Sequence, residues 1–192
     1  MATPLQTHLT RYAAGCGSTE CQRAKHIVLC RGTVPCDILL VGEAPGESED
    51  VLGKPFVGVA GKLQDRMLRD AWGGAYKLCF TNLVGCIPRE EDGSKATEPS
   101  DEQVLACQPR LQHFIDRVAK PRLIVCVGTH AKDWLNSGYR HGLKPQRKTP
   151  MVNVLHPAFI IRQNIAQRMF LIQQVVAILA SAADEYLEEN VE

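Results

Sequence analysis

Glu43, Asn82, His130 and His156 each stand at or just past the carboxyl end of an apolar run in this 192-residue chain. Carboxylates, amides and imidazoles accept, donate and move protons. Such groups able to converge at one sheet edge make a candidate active site. In open α/β sheets, ligands bind outside the carboxyl ends of the strands. The stretch VGEAPGESEDVLGKPFVGVAG, Val41–Gly61, adds Glu47, Glu49, Asp50 and one Phe, Phe56, flanked by Pro55 and Gly58. A connection of that length inside a compact domain needs a functional reason. His130 is read as a helix-start residue and is assigned no chemistry.

Eight cysteines carry a second signal. Cys79 in YKLCFTNLV and Cys126 in RLIVCVG lie in strand interiors and read as small buried hydrophobes. Cys16, Cys21, Cys30 and Cys36 precede the first strand, Cys86 ends a strand and Cys107 lies in the helix after it. Metal centres are assembled from close pairs that the fold brings together. Cys16/Cys21, with four residues between them, and Cys86/Cys107, with twenty, are candidate pairs. Neither has the two-residue gap of common zinc or cluster motifs.

The elements that must position these groups alternate. Strands are predicted at Asp37–Val41, Leu78–Val84, Arg122–Val127 and Val152–Leu155. Helices are predicted at Lys62–Trp72, from Ser100 onward, at Ala131–Asn136 and at Ile165–Leu187. Ser100 with Gln103 three residues later is a capping-box pattern. Pro109 is expected to kink that helix or divide it just after Cys107. Apolar strands alternating with helices imply an α/β fold, with a mostly parallel sheet and helices on both faces.

The length suits a single domain, residues 1–192, whose first 36 residues form a cysteine-containing arm. A net charge of +1 projects no global field toward nucleic acid, so any basic patch is local. Tyr139–Pro150, with Arg140, His141, Lys144, Arg147 and Lys148, reads either as a solvated loop or as a phosphate-contacting patch. Met1–Gly15 has no apolar h-region, and Met169–Ala183 is broken by Gln173–Gln174. An intracellular or viral protein with reduced thiols and no membrane partner is expected.

GEAPG at Gly42–Gly46, the acidic run Glu47–Asp50, GKPFVG at Gly53–Gly58, TNLVGC at Thr81–Cys86 and HPAFIIR at His156–Arg162 occur in order across nearly the whole chain. Together they resemble the uracil-DNA glycosylase superfamily, and its iron–sulfur branch, often called family 4, most of all. The resemblance implies a three-layer α/β/α fold on a four-stranded, mostly parallel sheet. It implies a monomer acting on uracil-containing DNA, flipping the base into a pocket. Phe56 would stack on the uracil, and Asn82 would read its N3–H and O4 edge. Gly42, Ala44 and Gly46 would line the substrate loop, and Glu47 would exclude the thymine methyl. His156 would donate to the departing uracil anion, while Glu43 would activate water or stabilise the sugar cation. Ala44 stands where some relatives carry Asp, so that route to water activation is absent. Ile160 or Ile161 would wedge into the duplex, and Arg162 and Lys148 would meet phosphate.

The same resemblance implies a [4Fe–4S] cluster on Cys16, Cys21, Cys86 and Cys107, with zinc as the alternative and Cys30 as a substitute ligand. The first cysteine pair is more widely spaced than is usual in that branch. Other readings of the chain are a DNA- or protein-binding module without turnover, a glycosylase for another modified base, and a zinc-stabilised DNA-binding protein. The intact set Glu43, Phe56, Asn82 and His156 favours an enzyme.

Overall fold

The computed structural model describes residues 2–136 and 149–187. Its strands are β1 (Arg31–Gly32), β2 (Ile38–Gly42), β3 (Leu78–Asn82), β4 (Leu123–Val127) and β5 (Met151–Val154). Its helices are α1 (Pro4–Tyr12), α2 (Thr19–Arg23), α3 (Glu47–Leu52), α4 (Val59–Trp72), α5 (Asp101–His113), α6 (Thr129–Asn136), α7 (Pro157–Ile161) and α8 (Ile165–Leu187). One sheet has the order β1-β3-β2-β4-β5. All pairings in it are parallel except β1 with β3.

The sheet therefore has five strands, one more than the resemblance implies. The extra strand is a two-residue antiparallel edge, Arg31–Gly32 against Phe80 and Cys79. A strand that short has no alternation in sequence to reveal it. The other strands read as continuous apolar runs because both sheet faces are covered. On β2, Leu39 and Val41 face a core with Val104, Leu111, Phe114 and Leu135. Ile38 and Leu40 face the opposite core, with Met67, Trp72, Ile160, Val175 and Leu179.

Several boundaries follow local chemistry. Ser100 caps α5 and Gln103 closes the capping box. The helix is not divided at Pro109: it runs through to His113 and widens into a π-helical turn, Phe114–Ala119. Val104 and Cys107 before the proline and Leu111 and Phe114 after it are all buried in the core. The N-terminal arm holds two helices that weak periodicity conceals, and His8 of α1 is fully buried against His113. Within the long loop, α3 ends at Gly53, whose φ of +66° allows the tight exit.

Helix α8 spans 23 residues with mean hydropathy 1.4 in its most apolar window, so by length and composition it could cross a membrane. Here α8 turns Val175, Leu179, Ala182, Ala183 and Leu187 into the core, and the Trp72 indole donates to the Leu179 carbonyl at 3.0 Å.

The tightest backbone approach in the long loop is at Gly61. A methyl there would lie 2.0 Å from the Phe56 carbonyl oxygen and 2.2 Å from its carbon. Backbone cannot yield as a flexible side chain does. Gly61→Ala should therefore cost about 3 kcal/mol, the upper end for overpacking, read as a lowered urea midpoint. Lys62→Ala on the exposed side of α4 is the control, and equal midpoints for the two variants would contradict this approach.

Candidate active site and cysteine centre

Strands β2 and β3 end side by side, with Gly42 in register with Asn82. A methyl on Gly42 would meet Asn82 Oδ1 at 2.5 Å and Phe56 Cζ at 2.7 Å. Glycine is required there because the amide and the ring both close over its Cα. Phe56 holds a left-handed φ of 56°, which costs a non-glycine residue of order 1–2 kcal/mol. Three groups of contacts offset that strain. Arg31 donates to the Pro55 carbonyl at 2.7 Å and the Phe56 carbonyl at 3.2 Å. Phe80 packs its ring 5.7 Å from that of Phe56. Glu49 accepts from the backbone N–H groups of Gly46, Val57 and Gly58 at 3.1, 2.9 and 2.8 Å. Glu49 thus ties GEAPG to PFVG, a role that the sequence shows only as one more loop carboxylate.

Glu43 follows β2 and is half-buried. His130 Nδ1 lies 2.6 Å from Glu43 Oε1, and its Nε2 lies 3.9 Å from Glu98 Oε2. The hydrogen bond from Glu43 holds the His130 pKa above its ordinary value. His156 has the opposite shift: burial, and then Arg162, push its pKa down. Its Nδ1 accepts from the Ala158 N–H at 3.1 Å, which leaves the ring proton on Nε2. Gly128, with φ +94°, sits against His156, where an added methyl would meet its Cβ at 3.1 Å.

Other expected residues fall elsewhere. Glu47 is exposed, and its carboxylate is taken by Arg89 at 2.7 and 2.8 Å. That guanidinium holds the Glu47 pKa below its usual range. Asp50 is buried, accepts from the Lys25 N–H at 2.9 Å and also pairs with Arg89. Ala44 and Gly46 lie on the loop beside Glu43, and Ala44 packs against the core under α5. Ile160 is fully buried among the α4 and α8 side chains, so it is no wedge. Its neighbour Phe159 is 42% exposed, and Ile161 is half-buried. The helical turn of α7 sends the first of the apolar trio outward and the second inward, which the sequence run alone does not show. Arg162 is exposed at the C-cap of α7. Lys148, with the basic stretch 139–148, lies outside the described residues.

Three of the four cysteines expected to act together lie in a row of contacts. Cys16 Sγ lies 3.4 Å from Cys21 Sγ, which lies 3.2 Å from Cys86 Sγ. Cys107 joins Cys16 and Cys21 around a cavity of about 120 Å³ and shares a second cleft with Cys16 and Cys86. The Val28 N–H donates to the Gly85 carbonyl at 2.7 Å, pinning the arm beside Cys86. The thiol–thiol contact with Cys86, outweighing burial, lowers the Cys21 pKa, while the same contact raises that of Cys86. Cys30 is elsewhere, against Cys79, so it does not substitute in this set.

Arg110, one turn beyond Cys107, is 3% exposed and also lines the Cys16–Cys21–Cys107 cavity. It donates to Thr81 Oγ1 at 3.2 Å and to the Asn82 and Leu83 carbonyls at 2.5 and 2.9 Å. Its Nε has no hydrogen-bond partner, and among the described residues no carboxylate pairs with it. A buried, unneutralised guanidinium beside four thiols fits an anionic thiolate centre.

Residues 31–180 match the family described as the uracil DNA glycosylase superfamily. The type-4 uracil-DNA glycosylase of Saccharolobus solfataricus is 37% identical over 123 residues, covering 60% of this chain and 54% of that protein. That of Sulfurisphaera tokodaii is 38% identical over 107 residues, covering 55% of this chain and 46% of that protein. The chain thus spans about half the length of these two relatives. The Thermotoga maritima type-4 enzyme is 29% identical over 145 residues, covering 71% of this chain and 72% of that protein. The crystal structure of Pedobacter heparinus SMUG2 shares the fold, with a TM-score of 0.54 at 16% identity over 77% of this chain and 76% of that one. With a family match over most of its length, the chain belongs to the uracil-DNA glycosylase superfamily.

Proposed function

We propose that the protein is a monofunctional uracil-DNA glycosylase, hydrolysing the N-glycosidic bond of a flipped-out uracil to leave an abasic site. The observation that carries this reading is the convergence of the Phe56 ring and the Asn82 amide over Gly42, in a space where even a methyl group would clash. A flat ring and a donor–acceptor amide at one narrow strand end suit a planar base with a polar edge. Asn82 presents both a donor and an acceptor, which matches uracil and mismatches cytosine. The backbone of Asn82 is held by Arg110, so the amide is aimed before the base arrives.

The chemical step divides between two residues. As the glycosidic bond lengthens, negative charge grows on the uracil and positive charge on the sugar. His156 is neutral at neutral pH because burial opposes its charging, and its Nε2–H is the free donor. That donor meets the uracil anion, while Glu43 meets the sugar cation or the attacking water. Exposed Phe159, rather than buried Ile160, is the apolar side chain available to fill the vacated stack. Arg162 contacts phosphate, and Lys148 adds a further cation by sequence position. The enzyme acts inside the cell, as a monomer and as one domain with a cysteine-bearing arm.

Cys16, Cys21, Cys86 and Cys107 would hold a [4Fe–4S] cluster. Bound there, it supplies structural cross-linking between the arm, the loop after β3 and α5. Four sulfur donors with no imidazole suit iron–sulfur or zinc, and the type-4 relatives favour the former. Anaerobically purified protein should contain iron and sulfide in equal amounts with visible charge-transfer absorbance, and Cys107→Ser should lose both. Zinc without iron would keep the four ligands and discard the cluster.

Single-turnover excision from a uracil-containing oligonucleotide, read by alkaline cleavage, tests the activity itself. Glu43→Gln and His156→Ala should each slow it by roughly 10²–10³ fold, the range for one electrostatic contact in a preorganised site. DNA affinity should fall much less, because it rests on phosphate contacts. Wild-type rates in both variants would remove these residues from the chemistry. A wild type that binds DNA and excises nothing would leave a binding module on this fold.

Specificity has its own test. Asn82→Asp replaces the donor N–H₂ with an acceptor, so uracil recognition should weaken and discrimination against cytosine should relax. Unchanged uracil and cytosine rates in that variant would take Asn82 out of the pocket.

A further inference from the structure

His130 was assigned no chemistry from sequence, yet it is the hydrogen-bond partner of the Glu43 carboxylate among the described residues, at 2.6 Å. We infer that His130 is a positioning residue for Glu43, holding one carboxylate oxygen so that the other is presented to the sugar side of the scissile bond. The inference rests on the glycosylase reading and assigns a role that the motifs do not carry.

The geometry argues it in steps. The backbone of Glu43 is already fixed, since its carbonyl accepts from the Val84 N–H at 3.2 Å and the preceding Gly42 carbonyl from the Leu83 N–H at 2.9 Å. Its side chain retains three rotatable bonds, and at a reacting centre a displacement of about 1 Å can cost of order 10²-fold in rate. A carboxylate can only accept, so the short contact is a donation from His130 Nδ1–H to Glu43 Oε1. His130 is itself placed by a rigid turn. It lies in the first turn of α6, two residues past Gly128, and the Lys132 N–H donates back to the Gly128 carbonyl at 3.2 Å. Gly128 is also the residue that packs on His156. One β4–α6 turn therefore supports the group on the base side and steadies the group on the sugar side.

The charged groups facing His130 are Glu43 after β2, Glu98 in the loop before α5 and Asp133 on α6 itself. All three are acidic. They favour the imidazolium, whose charge partly cancels that of Glu43. Loss of the His130 proton leaves Nδ1–H donating, so the geometry persists while the Glu43 charge acts undiminished. The two histidines then divide the pH axis. The His156 proton acts below pH 6.5 and the His130 proton above it.

The test uses the intact protein and three variants. His130→Ala should slow single-turnover uracil excision by about tenfold, with uracil-DNA affinity held within about twofold. His130→Asn keeps an N–H donor near the Nδ1 position and should recover most of the rate. The wild-type rate should rise with pH above 6.5, whereas His130→Asn should be level there. NMR titration of the His130 ring follows the pair without turnover, and in Glu43→Gln its pKa should fall back toward the ordinary value. Wild-type rates in His130→Ala overturn the positioning role. Equal slowing in the Ala and Asn variants, with an unchanged pH profile, also overturns it, because that is what a merely structural residue would give. A His130 titration unmoved in Glu43→Gln overturns the pair while the glycosylase reading stands. A wild type that excises no uracil overturns the glycosylase reading and the positioning role together, even where the NMR shows the pair.

Discussion

A buried guanidinium with no carboxylate partner among the described residues constrains the centre of this molecule. Arg110 is 3% exposed, and its described hydrogen bonds go to one hydroxyl and two carbonyl oxygens. Partial charges of that kind leave a desolvated cation under-compensated, at an effective cost of several kcal/mol. Four cysteines converge beside it, Cys107 on the same helix one turn back and Cys16, Cys21 and Cys86 from the arm and the loop after β3. Thiolates at that centre, as metal ligation would make them, would answer the guanidinium. The same guanidinium braces the carbonyl of Asn82, so the cysteine cluster and the Asn82 amide share one link. Helix α5 must keep its register for both ends of that link to meet, which agrees with its passing Pro109 unbroken.

The second half of the pocket is built by the opposite charge. Glu49 gathers three backbone N–H groups from two separate motifs and closes a loop whose ends lie at β2 and α4. Each of those donors lacks a helical partner, since Gly46 and Gly58 are the N-caps of α3 and α4. One carboxylate thereby serves two helix starts and fixes the segment that carries Phe56 at positive φ. Glycines stand where this closure brings atoms too near for a Cβ, at Gly42, Gly46 and Gly61.

Much of this was legible in the sequence, and what was not has physical reasons. Buried parallel strands announce themselves as apolar runs, and the last helix, Ile165–Leu187, has the boundaries that its periodicity predicts. Ser100 and Gln103 form the capping box that their spacing suggests. The short elements escaped: β1 is too brief to alternate, and α1 and α2 are held by burial and capping rather than by a long apolar stripe. Among candidate site residues, Glu43, Phe56, Asn82 and His156 were named because their motifs are dense. Glu47 was given to the pocket, but a guanidinium distant in sequence, Arg89, takes its carboxylate instead. Ile160 and Phe159 are adjacent apolar residues that only the rotation of α7 separates into inside and outside. His130 carries no local signal, because its significance lies in a partner 87 positions earlier.

The two imidazoles show how one fold shifts the same side chain in opposite directions. His156 lies under β5, capping α7, where burial and Arg162 both oppose a proton. His130 starts α6 at a partly exposed edge where Glu43, Glu98 and Asp133 all favour one. Gly128 stands within van der Waals reach of His156 and two residues from His130, so the difference arises across a single turn. A neutral donor is the form that can meet a developing anion without attracting a counter-charge beforehand. A cationic donor is the form that holds a carboxylate most firmly. The opposite biases of the ring that caps α7 and the ring beside Glu43 therefore follow from burial and neighbouring charge.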